Sequence, residues 1–277
     1  MTETRVGRAE RFRPSGGLER FVRAIRGRIP GSALPILRRC YEASLDRLPG
    51  DRLLSTLPGG ERVRLSARHR YLAWNPEEYA AFRATIRPGD VVIDAGANVG
   101  AYTLLFAQWV GSRGRVFAFE PAPDARSWLE RHLRLNGLTD RVEVIAAAIA
   151  ARNGAATLAL DPYGGASSLF PSGAAGGIQV RTTSIDAFCE ERQVQPNVIK
   201  IDVEGAELDA LEGARQTIVA APVHVFVEFH PAVWNTRGIG REDIERELRA
   251  QGLTAEPLEP AFDVWSTEGV CARLSRT

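Results

Sequence analysis

The chain has 277 residues, 44% hydrophobic and 25% charged, with a net charge of +1. These values describe an ordinary globular protein, one large α/β domain with an extension or two small domains, and argue against a dedicated nucleic-acid binder. With no apolar run long enough to span a bilayer and no secretory signal at the start, a cytoplasmic protein is expected. Cys40, Cys189 and Cys271 are odd in number and widely spaced, which fits reduced thiols and not a disulfide framework or zinc site.

Residues 1–30 are Arg-rich and carry Leu18, Phe21, Val22, Ile25 and Ile29 at helical spacing. Glu3, Glu10 and Glu19 interrupt the positive charge, so this helix reads as a packing helix with a solvated face and not as a membrane anchor. Pro-Gly pairs punctuate the chain to about residue 60, and Arg62–Leu65 alternates like a strand. Asn75 caps a helix running through Phe82. Residues 1–74 are expected to form a helical and strand extension, and 75–277 the main domain.

From Pro88 onward strands and helices alternate. Strands are expected at Val91–Asp94, Arg115–Glu120 and Val142–Ala147, with helices at Val99–Val110 and Pro123–Leu135 between them. Residues 149–185 break the rhythm with strands at Ala155–Leu160 and Ile178–Thr183, joined by a Gly- and Ser-rich stretch, 160–178, that reads as a lid. Asp161–Gly164 reads as a turn within it. Then follow a helix at Ser184–Gln193, a strand at Val198–Val203, a helix at Ala206–Ile218, a strand at Val223–Phe229 and a helix at Arg241–Gln251. The tail offers edge strands at Leu253–Glu256, Phe262–Ser266 and Val270–Leu274. Alternation of this kind needs crossovers, and predicts a mostly parallel sheet with helices on both faces.

The acids fall at strand ends: Asp94, Glu120, Asp202 with Glu204, and Glu228 with His230. In a doubly wound sheet these ends line the ligand crevice. Asp94-Ala95-Gly96-Ala97-Asn98-Val99-Gly100 is a tight turn opening into a helix, and Glu120 stands where a ribose-binding acid is expected. An acid at Asp94 would repel a pyrophosphate and suit a cationic ligand head, which favours S-adenosylmethionine over NAD.

Three blocks carry a resemblance to the FkbM family of S-adenosylmethionine-dependent methyltransferases: Val91–Gly100, Phe119-Glu120-Pro121, and Ile199-Lys200-Ile201-Asp202-Val203-Glu204-Gly205-Ala206-Glu207, with Ser167-Ser168-Leu169 in the insert. The resemblance covers roughly residues 75–230. It implies an α/β class I methyltransferase fold, a Rossmann-like mostly parallel sheet, here with a helical N-terminal extension. It also implies O-methylation of a hydroxyl on a small molecule such as a sugar or polyketide. Carried onto this chain, amides around Gly96, Asn98 and Gly100 would hold the methionine portion and Asp94 would favour its ammonium. Glu120 would take the ribose diol, and Asp202 would sit near the sulfonium and the acceptor. Ala146-Ala147-Ala148 stands where many relatives place an adenine-binding acid, so no side chain is carried over for adenine.

A hydroxyl acceptor must lose a proton, and His230 is the expected base, its unperturbed pKa lying near neutrality, with Glu228 orienting the ring. Lys200, the only lysine, is expected to pair with Asp202 or Glu228 and fix their orientation. Asp202, Glu204, Glu228 and His230 could instead hold a divalent metal, the less favoured reading. Two alternatives remain at this level: a NAD-dependent oxidoreductase on the same general fold, and a non-catalytic S-adenosylmethionine-binding protein. The acceptor and the oligomeric state are not legible.

Overall fold

Short runs of β-branched and aromatic residues alternate with helices, and each run ends where an acid or a glycine begins. The computed structural model describes residues 53–69, 72–160, 167–169, 177–265 and 269–277. The Arg-rich helix and the Asp161–Gly164 turn lie outside them, as does most of the glycine-rich stretch. The chain divides into two compact units, Met1–Pro76 and Glu77–Thr277. The first contains an antiparallel hairpin of β1 (Leu53–Thr56) and β2 (Arg62–Leu65), in which Val63 and Leu65 are buried.

The second unit begins with α1 (Pro76–Thr85), followed by β3 (Val91–Ala95), α2 (Ala101–Trp109), β4 (Arg115–Phe119), α3 (Pro123–Asn136) and β5 (Val142–Ile145). After an insert come α4 (Ile185–Arg192), β9 (Val198–Ile201), α5 (Glu207–Glu212), α6 (Arg215–Ala220) and β10 (His224–Phe229). The chain closes with α7 (Pro231–Trp234), α8 (Arg241–Ala250), β11 (Leu253–Pro257) and β12 (Val270–Arg276). These build a seven-stranded sheet in the order β11-β12-β10-β9-β3-β4-β5. The run β10-β9-β3-β4-β5 is parallel, and β12 lies antiparallel between β10 and β11. Strand order therefore reverses between β3 and β9, and there the loops leaving the two strands part to open a crevice.

Alternation along the strands assigns the faces. Ile93, Ala95, Ile199, Ile201, Val225, Val227 and Phe229 enter one apolar core with residues of α4, α5, α6 and α8. Val92, Asp94, Val198, Lys200, Phe226 and Glu228 point the other way. There Phe82 of α1 packs edge-on against Phe226, Tyr102 and Phe106 at 4.8–5.1 Å. Helices thus cover both faces, a Rossmann-like α/β architecture.

Four local expectations differ. The expected strand at Val142–Ala147 stops at Ile145. Its continuation, β6 (Ala148–Ile149), leaves for a separate three-stranded sheet with β8 (Ile178–Thr183) and β7 (Gly154–Leu158). The helix expected at Ala206–Ile218 breaks in two at Gly213, where a Cβ would lie 2.3 Å from the Ala150 carbonyl oxygen. The Asp186 carboxylate accepts from the amides of Gln216 and Thr217, satisfying the start of the second helix. The strand at Val198–Val203 ends at Ile201, and its exit turn proves important below. Finally, 261–265 is not a strand: the Asp263 side chain accepts from the Trp265 amide and closes a turn.

Candidate functional site

The loop after β3 is wound tightly. Gly96 (φ 83°) and Gly100 (φ 94°) are left-handed, and so is Asn98 (φ 50°). A Cβ on Gly96 would lie 1.7 Å from the Asp202 carbonyl oxygen, so the loops leaving β3 and β9 touch backbone to backbone there. The loop's amides are committed internally. Those of Gly96 and Ala97 donate to the Phe119 carbonyl, Gly100 donates to Ala97, and Asn98 donates to Glu120 Oε2 at 2.8 Å. This corrects the expectation that the amides of Gly96, Asn98 and Gly100 hold a ligand: Phe119, Glu120 and Ala97 accept from them. Most of the loop's carbonyls are committed as well: Ala95 accepts from the Asp202 amide, Ala97 from Gly100 and Gly100 from Leu104, while Val99 bonds His132 Nδ1 at 2.8 Å.

Glu120, at the end of β4, is held by two backbone amides, Asn98 on Oε2 and Ala122 on Oε1, each at 2.8 Å. A carboxylate has about four lone-pair directions, so each oxygen retains capacity for one more donor. Burial pushes the Glu120 carboxyl up to about 7, against the two amides and Arg126, which favour its charge.

Asp94 is placed differently from expectation. It is fully buried, accepts from the Thr103 hydroxyl of α2 at 2.6 Å, and lies 3.6 Å from Lys200 Nζ. Its parity on β3 turns it under α2, where it anchors the start of α2 and the lysine. Lys200 Nζ in turn donates to Asp202 Oδ2 at 3.1 Å. Burial favours the neutral amine, but the charges of Asp202, Asp94 and Glu228 outweigh it and hold Lys200 protonated. Lys200 thus tethers the ends of β3 and β9 together.

His230, after β10, meets the remaining acids. Its Nε2 lies 3.4 Å from Glu204, 3.9 Å from Asp202 and 3.9 Å from Glu228. The ring is not oriented by Glu228, as expected, because that carboxylate faces the wrong nitrogen. Nδ1 instead bonds Glu207 Oε1 at 2.8 Å. Glu207 is fully buried in the first turn of α5 and also accepts from the Gly205 amide and from Trp234 Nε1. Its contact with His230 is the one in this cluster that sequence reasoning passed over. The one available signal was the place of Glu207 in the Ile199–Glu207 block.

The charges here are crowded. Burial lowers the proton affinity of His230, but the hydrogen bond and charge of Glu207, with Asp202 and Glu204, raise it to about 10. The neighbouring charge of Asp202 and burial push Glu228 up to about 8, and burial also raises Glu204. One ligand atom from each of Asp202, Glu228 and His230 falls within 4.8 Å of the others, a spacing that a divalent cation could share, whereas Glu204 stands outside that set. Asp202, Glu204 and Glu228 are 25%, 32% and 28% exposed, so this end opens to solvent while Asp94, Lys200 and Glu207 lie behind it. Among the described residues, no helix is long and apolar enough to cross a membrane.

Comparison with known proteins places this arrangement. Residues 94–252 match the methyltransferase FkbM domain. The hexuronic acid methyltransferase AglP of Haloferax volcanii is 29% identical over 171 residues, covering 60% of this chain and 64% of that protein. The 2-O-methyltransferase NoeI of Sinorhizobium fredii is 28% identical over 152 residues, covering 48% of this chain and 60% of that one. The chain thus spans a little under two thirds of the length of these curated relatives. A crystal structure of a methyltransferase FkbM from Methylobacillus flagellatus aligns with a TM-score of 0.46 at 19% identity, over 72% of this chain and 50% of that one.

Proposed function

Since the chain belongs to the FkbM methyltransferase family, we propose that it transfers a methyl group from S-adenosylmethionine to a hydroxyl of a small molecule, a sugar hydroxyl being the first to test. The observation that carries the donor's identity is the bond from the Asn98 amide to Glu120. In a dinucleotide fold, loop amides face a pyrophosphate. Here an acid has taken that amide, and a diphosphate would meet the Glu120 carboxylate. S-adenosylmethionine carries no phosphate. Its ribose diol supplies the two donors that Glu120 can still accept. The oxidoreductase alternative is disfavoured on the same ground.

In the proposed reaction the acceptor oxygen attacks the methyl carbon in line, the carbon–sulfur bond breaks with its electron pair on sulfur, and the hydroxyl proton passes to His230 Nε2. Asp202, on the carbonyl that abuts Gly96, lies where the sulfonium would stand. Glu207 keeps a proton on Nδ1, which leaves Nε2 as the atom that gains and loses one.

The expectation of a base poised at neutrality needs amending, because an imidazole held up to about 10 is protonated at pH 7. A bound sulfonium adds a positive charge beside Asp202, offsets part of the carboxylate pull and lowers that value. Donor binding thereby readies the base, and the non-catalytic alternative leaves this linked pair unexplained. The proposed step uses no metal. Of the two named relatives, the hexuronic acid methyltransferase supports a sugar acceptor and the 2-O-methyltransferase supports an oxygen as the atom methylated.

Calorimetry with S-adenosylmethionine, followed by labelled-methyl transfer to a panel of sugars and uronic acids, tests the reading. Glu120→Gln removes a charged acceptor from the diol and should weaken donor binding by about 10- to 100-fold, the equivalent of ~1.4–2.8 kcal/mol. Unchanged affinity in that variant, or tighter binding of NADH than of S-adenosylmethionine by the parent, overturns it.

A further inference from the structure

The exit turn after β9 contains a residue in a conformation that side chains resist. Glu204 has φ 50° and is followed by Gly205 at φ 100°. Gly205 has no room for a side chain, since a Cβ would lie 2.3 Å from Val233. The peptide joining these residues is gripped at both ends. On one side, the Gly205 amide donates to Glu207 Oε1 at 2.9 Å, the same oxygen that bonds His230 Nδ1. On the other, the Ser168 hydroxyl donates to the Glu204 carbonyl at 2.7 Å.

Ser168 belongs to the insert, not to the parallel sheet. Its backbone pairs with Ala159 in both directions, at 2.8 and 3.1 Å. The adjacent Leu169 packs on the small cluster of Ala122, Ala148, Leu158 and Val180. The hydroxyl is therefore delivered from a fixed platform. A peptide in this strained region is held by its surroundings, and flipping it would withdraw the Gly205 amide from Glu207 and swing the Glu204 carboxylate away from His230 Nε2.

We propose that Ser168 is a positioning residue: its hydroxyl locks the Glu204–Gly205 peptide, and through it the Glu207 and Glu204 carboxylates that hold His230. The inference rests on the reading of His230 as the proton acceptor. It assigns a task to the Ser167-Ser168-Leu169 segment beyond closing the insert.

The test needs no acceptor. The chain has four histidines, so ring-labelled protein gives four sets of imidazole signals, and His230→Asn identifies the relevant one. Its titration is followed in the parent, Ser168→Ala, Ser168→Thr and Glu207→Gln, together with hydrogen exchange of the Gly205 amide and calorimetry with S-adenosylmethionine. The groups facing the ring are Asp202, Glu204, Glu207 and Glu228. Loosening Glu204 and Glu207 should lower the His230 midpoint in Ser168→Ala by about one pH unit, tenfold in proton affinity. Gly205 exchange should quicken, donor affinity should hold, and threonine should restore the parent values.

A midpoint and exchange rate unchanged in Ser168→Ala reduce Ser168 to a tether of the insert and overturn the proposal, leaving methyl transfer untouched. A midpoint unmoved in Glu207→Gln overturns the Glu207–His230 arrangement itself, and the proposal with it. If Ser168→Ala fails to fold, Ser168→Cys, which keeps the size and loses the strong donor, carries the same test: a lowered midpoint supports the proposal and an unchanged one overturns it.

Discussion

The two sides of the crevice are built on opposite terms. On the side of β3 and β4, the polar groups are largely committed before a ligand arrives: loop amides to Phe119 and Glu120, Asp94 to Thr103 and Lys200, and Glu120 to two amides with one acceptor position left on each oxygen. On the side of β9 and β10, three partly exposed carboxylates crowd one imidazole nitrogen at 3.4–3.9 Å without a hydrogen bond among those contacts. A rigid, satisfied wall suits a ligand that is the same in every turnover. A charged, under-satisfied wall suits the place where charge and protons move. Binding and chemistry meet at the junction of β3 and β9, where Gly96 abuts the Asp202 carbonyl and Lys200 bridges Asp94 and Asp202, and away from that junction the two walls should respond separately to mutation.

The strongest way to break that separation is to strike the contact. Gly96→Ala puts a methyl group into the Asp202 carbonyl and a side chain at φ 83°. Left-handed strain and overpacking together should cost on the order of 4 kcal/mol, with donor affinity falling by more than about a hundredfold. Thermal melts and calorimetry check it. A variant that melts and binds like the parent would mean the loops are not in register as described.

Lys200→Met comes next. It leaves the buried Asp94 without its cation, with the half-buried Asp202 losing the same partner, and should destabilise the fold by about 3 kcal/mol at neutral pH. The sign with pH is diagnostic. Burial already holds the Asp94 carboxyl above its usual range and Lys200 pulls it back; without Lys200 its folded pKa lies further above the unfolded one, so the deficit is full at high pH and shrinks as pH falls through the folded value. Denaturant melts at pH 8 and pH 5 should therefore converge on the parent, and a constant deficit would assign Lys200 to packing alone.

How much of this was legible beforehand follows a physical line. Strand runs and the acids that end them are local patterns, so the sheet and the cluster Asp94, Glu120, Asp202, Glu228 and His230 could be read from composition and spacing. Direction was less accessible. Asp94 shares its face with Val92 and lies under α2, yet which face a helix covers depends on strand order, set by pairing between β3 and β9. The loop amides are taken by Phe119 and Glu120, more than twenty residues away, and Glu207 meets His230 across 23 residues. Gly213 broke a periodic helix because Ala150 approaches it from the insert. In each case the deciding partner was non-local, and no window of sequence contains it.

The smallest expected effect is the most discriminating, because it reads both walls in one experiment. Donor binding should release protons. On the binding wall, a diol donating to Glu120 favours the carboxylate and lowers a pKa of about 7, so protein poised near that pH should lose up to about half a proton from this group. Affinity should correspondingly weaken as pH falls below 7. On the chemical wall, the sulfonium disfavours the imidazolium and lowers a value of about 10, so a second release should centre on the alkaline side. Calorimetry in buffers of different ionisation enthalpy measures the protons at each pH. Glu120→Gln should erase the release near neutrality and leave the alkaline one, while His230→Asn should do the reverse. If a single substitution erased both, the walls would be one coupled network; if neither did, the cationic end of the donor would not lie beside Asp202.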